Sequence, residues 1–156
     1  MVKENVELVL GDDEQEESRV HAIVARAIQA KATVFVGRFL SDMTLPEPVA
    51  TAWREANVTL RQYGHSCFVN AYPPLADAGR AEMGLEEAEA ALRSGKYDIV
   101  LLSQVLTAVD ERLLTSFDLA ALIEARPEGI ALVLTGCNAP TQLVAQCESC
   151  QQGAER

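Results

Sequence analysis

Ile130-Ala131-Leu132-Val133-Leu134-Thr135 carries no charge, and Tyr97-Asp98-Ile99-Val100-Leu101-Leu102 is a matching run earlier in the chain. Short runs that are apolar nearly throughout suit strands buried on both faces, the mark of a parallel sheet covered on two sides. Working outward, Val6 to Leu10, ending at Gly11, and Thr33 to Phe39, rich in β-branched residues, are two further strands, and Val58 to Tyr63 is a fifth. Between the first two, Val20, Ile23, Val24, Ala27 and Ile28 recur at helical spacing from Ser18 to Lys31. That is a βαβ unit. Helices are expected at Pro48 to Ala56, Asp77 to Ser94, Ser116 to Ala125 and Thr141 to Cys150, and the stretch His65 to Pro74 reads as a loop. Such alternation predicts one three-layer α/β domain over residues 1–156, a mostly parallel sheet with helices on both faces and right-handed crossovers.

The composition agrees with a single core. The chain has 156 residues, is 49% hydrophobic and 23% charged, and carries a net charge of −10. An acidic surface repels the phosphate backbone, so nucleic-acid partners are excluded. No apolar run reaches the roughly 18 residues that span a bilayer, and the acidic opening lacks the basic and apolar regions of a signal peptide. No membrane association and a cytoplasmic location are expected. Cys67, Cys137, Cys147 and Cys150 are too sparse for a disulfide framework.

The acidity is concentrated at the front. Through Glu17 there are seven acids against Lys3 alone, so 6 of the 10 net negative charges precede Ser18. Most fall in Gly11-Asp12-Asp13-Glu14-Gln15-Glu16-Glu17-Ser18, read as the turn from first strand to first helix. In a parallel α/β sheet that turn is the usual phosphate site, where glycines let backbone N–H groups wrap the anion and a Lys supplies charge. Here carboxylates stand in their place. One reading is helix capping, with Asp13 and Glu16 at capping-box spacing. The two readings are compatible: carboxylates that cap the helix fill the electropositive end that a phosphate would need.

With these pieces in order, the chain resembles the P-loop type ATP:corrinoid (cob(I)alamin) adenosyltransferases over nearly its whole length. Ala125-Arg126-Pro127 followed by Leu132-Val133-Leu134-Thr135-Gly136-Cys137-Asn138-Ala139-Pro140 is similar to the family's A-R-P and L-V-L-T-G-R-N-A-P. Glu86-Glu87-Ala88 and Ser94 to Leu102 resemble the helix and strand that precede its acidic pair, and Gly11 to Ser18 lies in register with G-D-G-K-G-K-T-T. The resemblance implies a P-loop NTPase/RecA-like fold, a dimer, and a reaction in which ATP gives its adenosyl group to a Co(I) corrinoid and leaves triphosphate. ATP, Mg and a corrinoid are then the expected ligands of an active member.

The departures fall where that family does its chemistry. Asp13 and Gln15 replace glycines, Glu14 and Glu16 replace lysines, and Glu17 and Ser18 replace threonines. Arg38 and Ser41 replace the Gln and Lys of V-V-Q-F-L-K-G, Ser103-Gln104 replaces the Asp-Glu pair expected to help hold Mg, and Cys137 replaces the Arg of T-G-R. Together with Gly11, Asp12, Thr135, Gly136 and Asn138, these positions form the candidate nucleotide site, in degenerate form. The chain also reads as short at both ends relative to the family. The expectation is a catalytically inactive, adenosyltransferase-like binding or regulatory module with no cofactor of its own, either a homodimer or the partner of an active paralogue, with a corrinoid as a possible ligand. Two alternatives stay open: an active adenosyltransferase with an atypical nucleotide site, and a small metal- or thiol-binding protein using Cys147 and Cys150, which have Cys-x-x-Cys spacing. Arg38, at the carboxyl end of its strand, is expected to reach the acidic first segment as an internal ion pair.

Overall fold

The computed structural model describes residues 3–40, 47–63 and 75–151. Six parallel strands form one sheet: β1 (Lys3–Leu10), β2 (Val34–Arg38), β3 (Val58–Gln62), β4 (Ile99–Ser103), β5 (Ala131–Gly136) and β6 (Cys147–Gln151), in the order β3-β2-β4-β5-β1-β6. The helices are α1 (Asp13–Gln29), α2 (Val49–Glu55), α3 (Leu75–Ser94), α4 (Val105–Asp110), α5 (Ser116–Ala125) and α6 (Thr141–Gln146).

Three layers follow from the period of the strands. Val9, Val34, Val36, Leu101 and Val133 pack under α1 and α2 with Val20, Val24, Ala27 and Trp53. Their neighbours Leu8, Leu10, Phe35, Val100, Leu102, Leu132 and Leu134 face the other way, onto α3, α4, α5 and α6. Successive strand residues point to opposite faces, and here both faces are covered. The apolar runs are continuous for that reason. Each fully buried Leu or Val stabilises the fold by about 1.5–3 kcal/mol relative to exposure.

Register places the carboxyl ends of the inner strands side by side. Arg38 of β2 aligns with Ser103 of β4, Leu102 of β4 aligns with Leu134 of β5, and Leu10 of β1 aligns with Gly136 of β5. The Gly11 N–H donates to the Gly136 carbonyl at 3.0 Å, which ties the start of the following segment to this edge.

Two expectations need correction. The last helix stops at Gln146, and Cys147–Gln151 is a strand that pairs with β1, Lys3 opposite Cys147 and Leu8 opposite Cys150. Without it, one side of β1 would carry unpaired backbone groups, and satisfying them outweighs the local helical spacing of residues 141–150. The acidic segment is also not a turn: only Gly11 and Asp12 separate β1 from α1, and Asp13 to Ser18 are already helical. Carboxylates near an N-terminus favour helix, and Asp13 and Gln15 lack the conformational freedom of the glycines they replace. The helix α4 was not anticipated from the sequence. The expected loop His65 to Pro74, together with Cys67 and Ser41, lies outside the described residues.

Candidate functional site

The first turn of α1 begins with Asp12 in extended conformation. Its carboxylate accepts from the Gln15 N–H at 2.8 Å, and the Gln15 side-chain oxygen accepts from the Asp12 N–H at 3.0 Å. The capping box is therefore Asp12 with Gln15, one residue earlier than the Asp13 and Glu16 expected from spacing. The shift has a physical cause: Glu16 is turned inward.

Glu16 is 1% exposed. Its Oε2 accepts hydrogen bonds from the hydroxyls of Ser103, at 2.8 Å, and Thr135. Thr135 Oγ1 in turn accepts from the Gln104 N–H at 2.8 Å. A single carboxylate oxygen thus joins α1 to the ends of β4 and β5, and Thr135 extends the chain of bonds to the start of α4. The other oxygen, Glu16 Oε1, is buried and has no hydrogen-bond partner among the described residues. Burial pushes the Glu16 carboxyl above the ordinary carboxylate range; the two hydroxyl bonds pull it back, the Glu17 charge adds to the rise and Arg38 opposes it.

Beside it lies an ion pair. Arg38 is 3% exposed and its Nη2 meets Glu17 Oε2 at 3.1 Å. His21 Nε2 stands 3.3 Å from the same oxygen, one helical turn along α1. The His21 ring meets Trp53 of α2 edge-on, with centroids 5.9 Å apart. A guanidinium removed from water needs a compensating charge, and Glu17 supplies it.

On the far side, Gln104 adopts the left-handed conformation with φ 62°. Gly136 is packed so closely that a Cβ there would lie 2.6 Å from Leu106 Cβ and 2.7 Å from the Thr107 nitrogen. Only glycine lets α4 sit against the end of β5. Cys137 follows as an exposed free thiol whose N–H donates to Thr107 Oγ1 at 3.2 Å, and Asn138 reaches Asp110 at 3.5 Å.

The fold therefore gathers into one cluster Glu16, the Ser103 and Thr135 hydroxyls bonded to it and the ion pair of Glu17 with Arg38 beside them, and Gly11, Asp12, Gln15, Gln104 and Gly136 stand around it. Glu14 and Ser18 are exposed on α1, and Asp13 lies in its first turn. Cys147 and Cys150 belong to β6, where three residues of extended strand cover about 10 Å. Among the described residues no group of three or more His, Cys, Asp or Glu is arranged to hold a metal, and no helix is long and apolar enough to cross a membrane.

Sequence reasoning missed the place of Glu16 and the central part of Thr135. A signal for Glu16 was present: it stands four residues before Val20 and eight before Val24, on the apolar stripe of α1. Thr135 carried no such signal, since a Thr closing a buried strand is ordinary.

A parallel α/β sheet, helices on both faces and a polar cluster at the carboxyl ends of its central strands define an α/β protein of the P-loop NTPase-like class. A family model described as ATP:corrinoid adenosyltransferase BtuR/CobO/CobP matches residues 5–154. The chain belongs to this family. No curated protein sequence matches it.

Proposed function

We propose that this chain is a corrinoid adenosyltransferase family member that does not transfer adenosyl groups, and that it serves as a binding or regulatory module, as a homodimer or as the partner of an active paralogue. The observation that carries this reading is the buried Glu16 carboxyl, bonded to Ser103 and Thr135.

The family's reaction breaks the C5′–O bond of ATP as a cobalt–carbon bond forms, and the protein's part is to hold the departing triphosphate and its metal. The residues here do not fit those groups. With α1 starting at Asp13, the segment has no open loop of backbone N–H groups to wrap a phosphate, and the Gln15 N–H is taken by Asp12. A carboxylate about 4 Å from a phosphate charge costs on the order of 4 kcal/mol at an effective dielectric of 20. The one cation of the cluster, Arg38, is engaged by Glu17. At the end of β4, Ser103 and Gln104 offer no carboxylate to Mg, whose binding relies on carboxylates together with substrate phosphates.

Titration calorimetry with Mg·ATP, followed by an anaerobic absorbance titration with reduced cobalamin, tests the reading. No heat of nucleotide binding and no formation of the cobalt–carbon bond are expected. Micromolar Mg·ATP binding, or turnover to adenosylcobalamin, would overturn it. A corrinoid spectral change without turnover is the result expected of a binding module.

A further inference from the structure

The helical face opposite α1 and α2 carries a groove that the polar cluster does not use. It runs between α3 and α5 and encloses about 290 Å³. Its floor includes Leu85 and Leu122, and its rim is Glu82, Glu86, Glu89 and Asp118. Two of the rim acids are already engaged: Glu89 pairs with Arg93 at 2.9 Å, and Asp118 accepts from the Thr115 N–H at 3.0 Å. Glu82 and Glu86, both exposed, have no ion-pair partner among the described residues. They stand four apart on α3, a like-charge spacing that weakens a helix. Phe117, one turn before Ala121 of the groove lining, is 78% exposed, more than any other large apolar side chain described.

An apolar floor, two uncompensated acids on the rim and an exposed aromatic at the margin together specify the occupant. A second copy fits poorly, because a two-fold axis through this face would set the acids of one protomer against those of the other. We infer that the α3–α5 groove receives a basic amphipathic helix of another protein, its apolar residues on Leu85, Leu122 and Phe117 and its Lys or Arg residues on Glu82 and Glu86. The rim from Glu82 to Glu89 extends about 10 Å at 1.5 Å per residue, which matches roughly two turns of such a helix. The inference holds whether or not the chain transfers adenosyl groups.

The test uses the full chain and a fluorescent Leu/Lys peptide of about fourteen residues with its leucines at helical spacing, followed by anisotropy at about 0.15 M salt, where exposed charges are screened beyond about 8 Å. Glu82→Lys/Glu86→Lys should weaken binding about tenfold, while Glu55→Lys/Glu128→Lys, which changes the net charge equally elsewhere, should leave it unaltered. Phe117→Ser should weaken binding several-fold with the rim charges intact, and a scrambled peptide without an apolar stripe should bind more weakly than the patterned one. Equal losses in the two double variants, or equal binding of the scrambled peptide, would reduce the effect to net charge and overturn the inference. So would a wild-type dimer in sedimentation that Phe117→Ser dissociates, since a second copy would then fill the groove.

Discussion

Replacing Glu16 by Gln should stabilise the protein, and the gain should depend on pH. The carboxyl of Glu16 is held above its ordinary value of 4.5, first of all by burial. The folded state therefore keeps a proton over a range in which the unfolded chain has lost it. Stability contributed by this group is complete below about pH 4.5, falls as pH rises towards the folded-state value, and is level beyond it. Gln cannot ionise, keeps the shape of the protonated acid, and still offers an oxygen to Ser103 and Thr135. The melting temperatures of variant and wild type should thus coincide near pH 4 and separate towards neutrality. For 156 residues, an unfolding entropy of about 2.1 cal/mol/K per residue converts each kcal/mol by which burial opposes ionisation of Glu16 into a gain of about 3 °C. Scanning calorimetry of both proteins between about pH 4 and pH 8 measures the difference directly, with other carboxylates cancelling between them. A difference that does not change with pH, or a variant less stable at neutral pH, would refute the account of Glu16 as a desolvated, incompletely satisfied acid.

Removing the guanidinium in Arg38→Ala should cost about 1–2 kcal/mol, less than a fully buried pair because Glu17 keeps some contact with water; an unchanged denaturant midpoint would count against the ion pair with Glu17. Gly136→Ala forces α4 away from the end of β5 and should destabilise by about 1–3 kcal/mol, seen as a lower midpoint with the same denaturant slope. Asp12→Ala removes the cap of α1 and should cost about 1 kcal/mol, with Asp12→Ser recovering most of it in the same unfolding experiment.

Much of the architecture was legible because burial on both faces leaves an unmistakable trace. The runs Tyr97 to Leu102 and Ile130 to Thr135 have no room for polar alternation when helices cover both sides, and they announced parallel strands. Cys147–Gln151 left no trace of that kind: Glu148, Ser149 and Gln151 do not mark a strand, and what makes one of them is the open side of β1, a demand set by a distant part of the chain. The site was half legible. Its acids could be counted and the approach of Arg38 to them anticipated. Which acid turns inward was decided by the phase of α1, set by the Asp12 cap and by Val20 and Val24, and the partners of Glu16 come from strand ends whose alignment only the sheet register fixes.

That register also governs when the cluster can exist. β1 is made first, yet its two neighbours in the sheet are the last two strands of the chain, and Glu16 meets Thr135 across a separation of 119 residues. Contacts so distant in sequence close slowly, after local structure has formed. Until β5 docks, α1 must carry its inward-facing carboxyl in water, where it loses its proton near the ordinary value. Between that value and the raised one of the folded state, completing the sheet is then the step at which a proton is taken up, and refolding in that window should consume acid, so that the chain's proton balance records the arrival of its C-terminal strands.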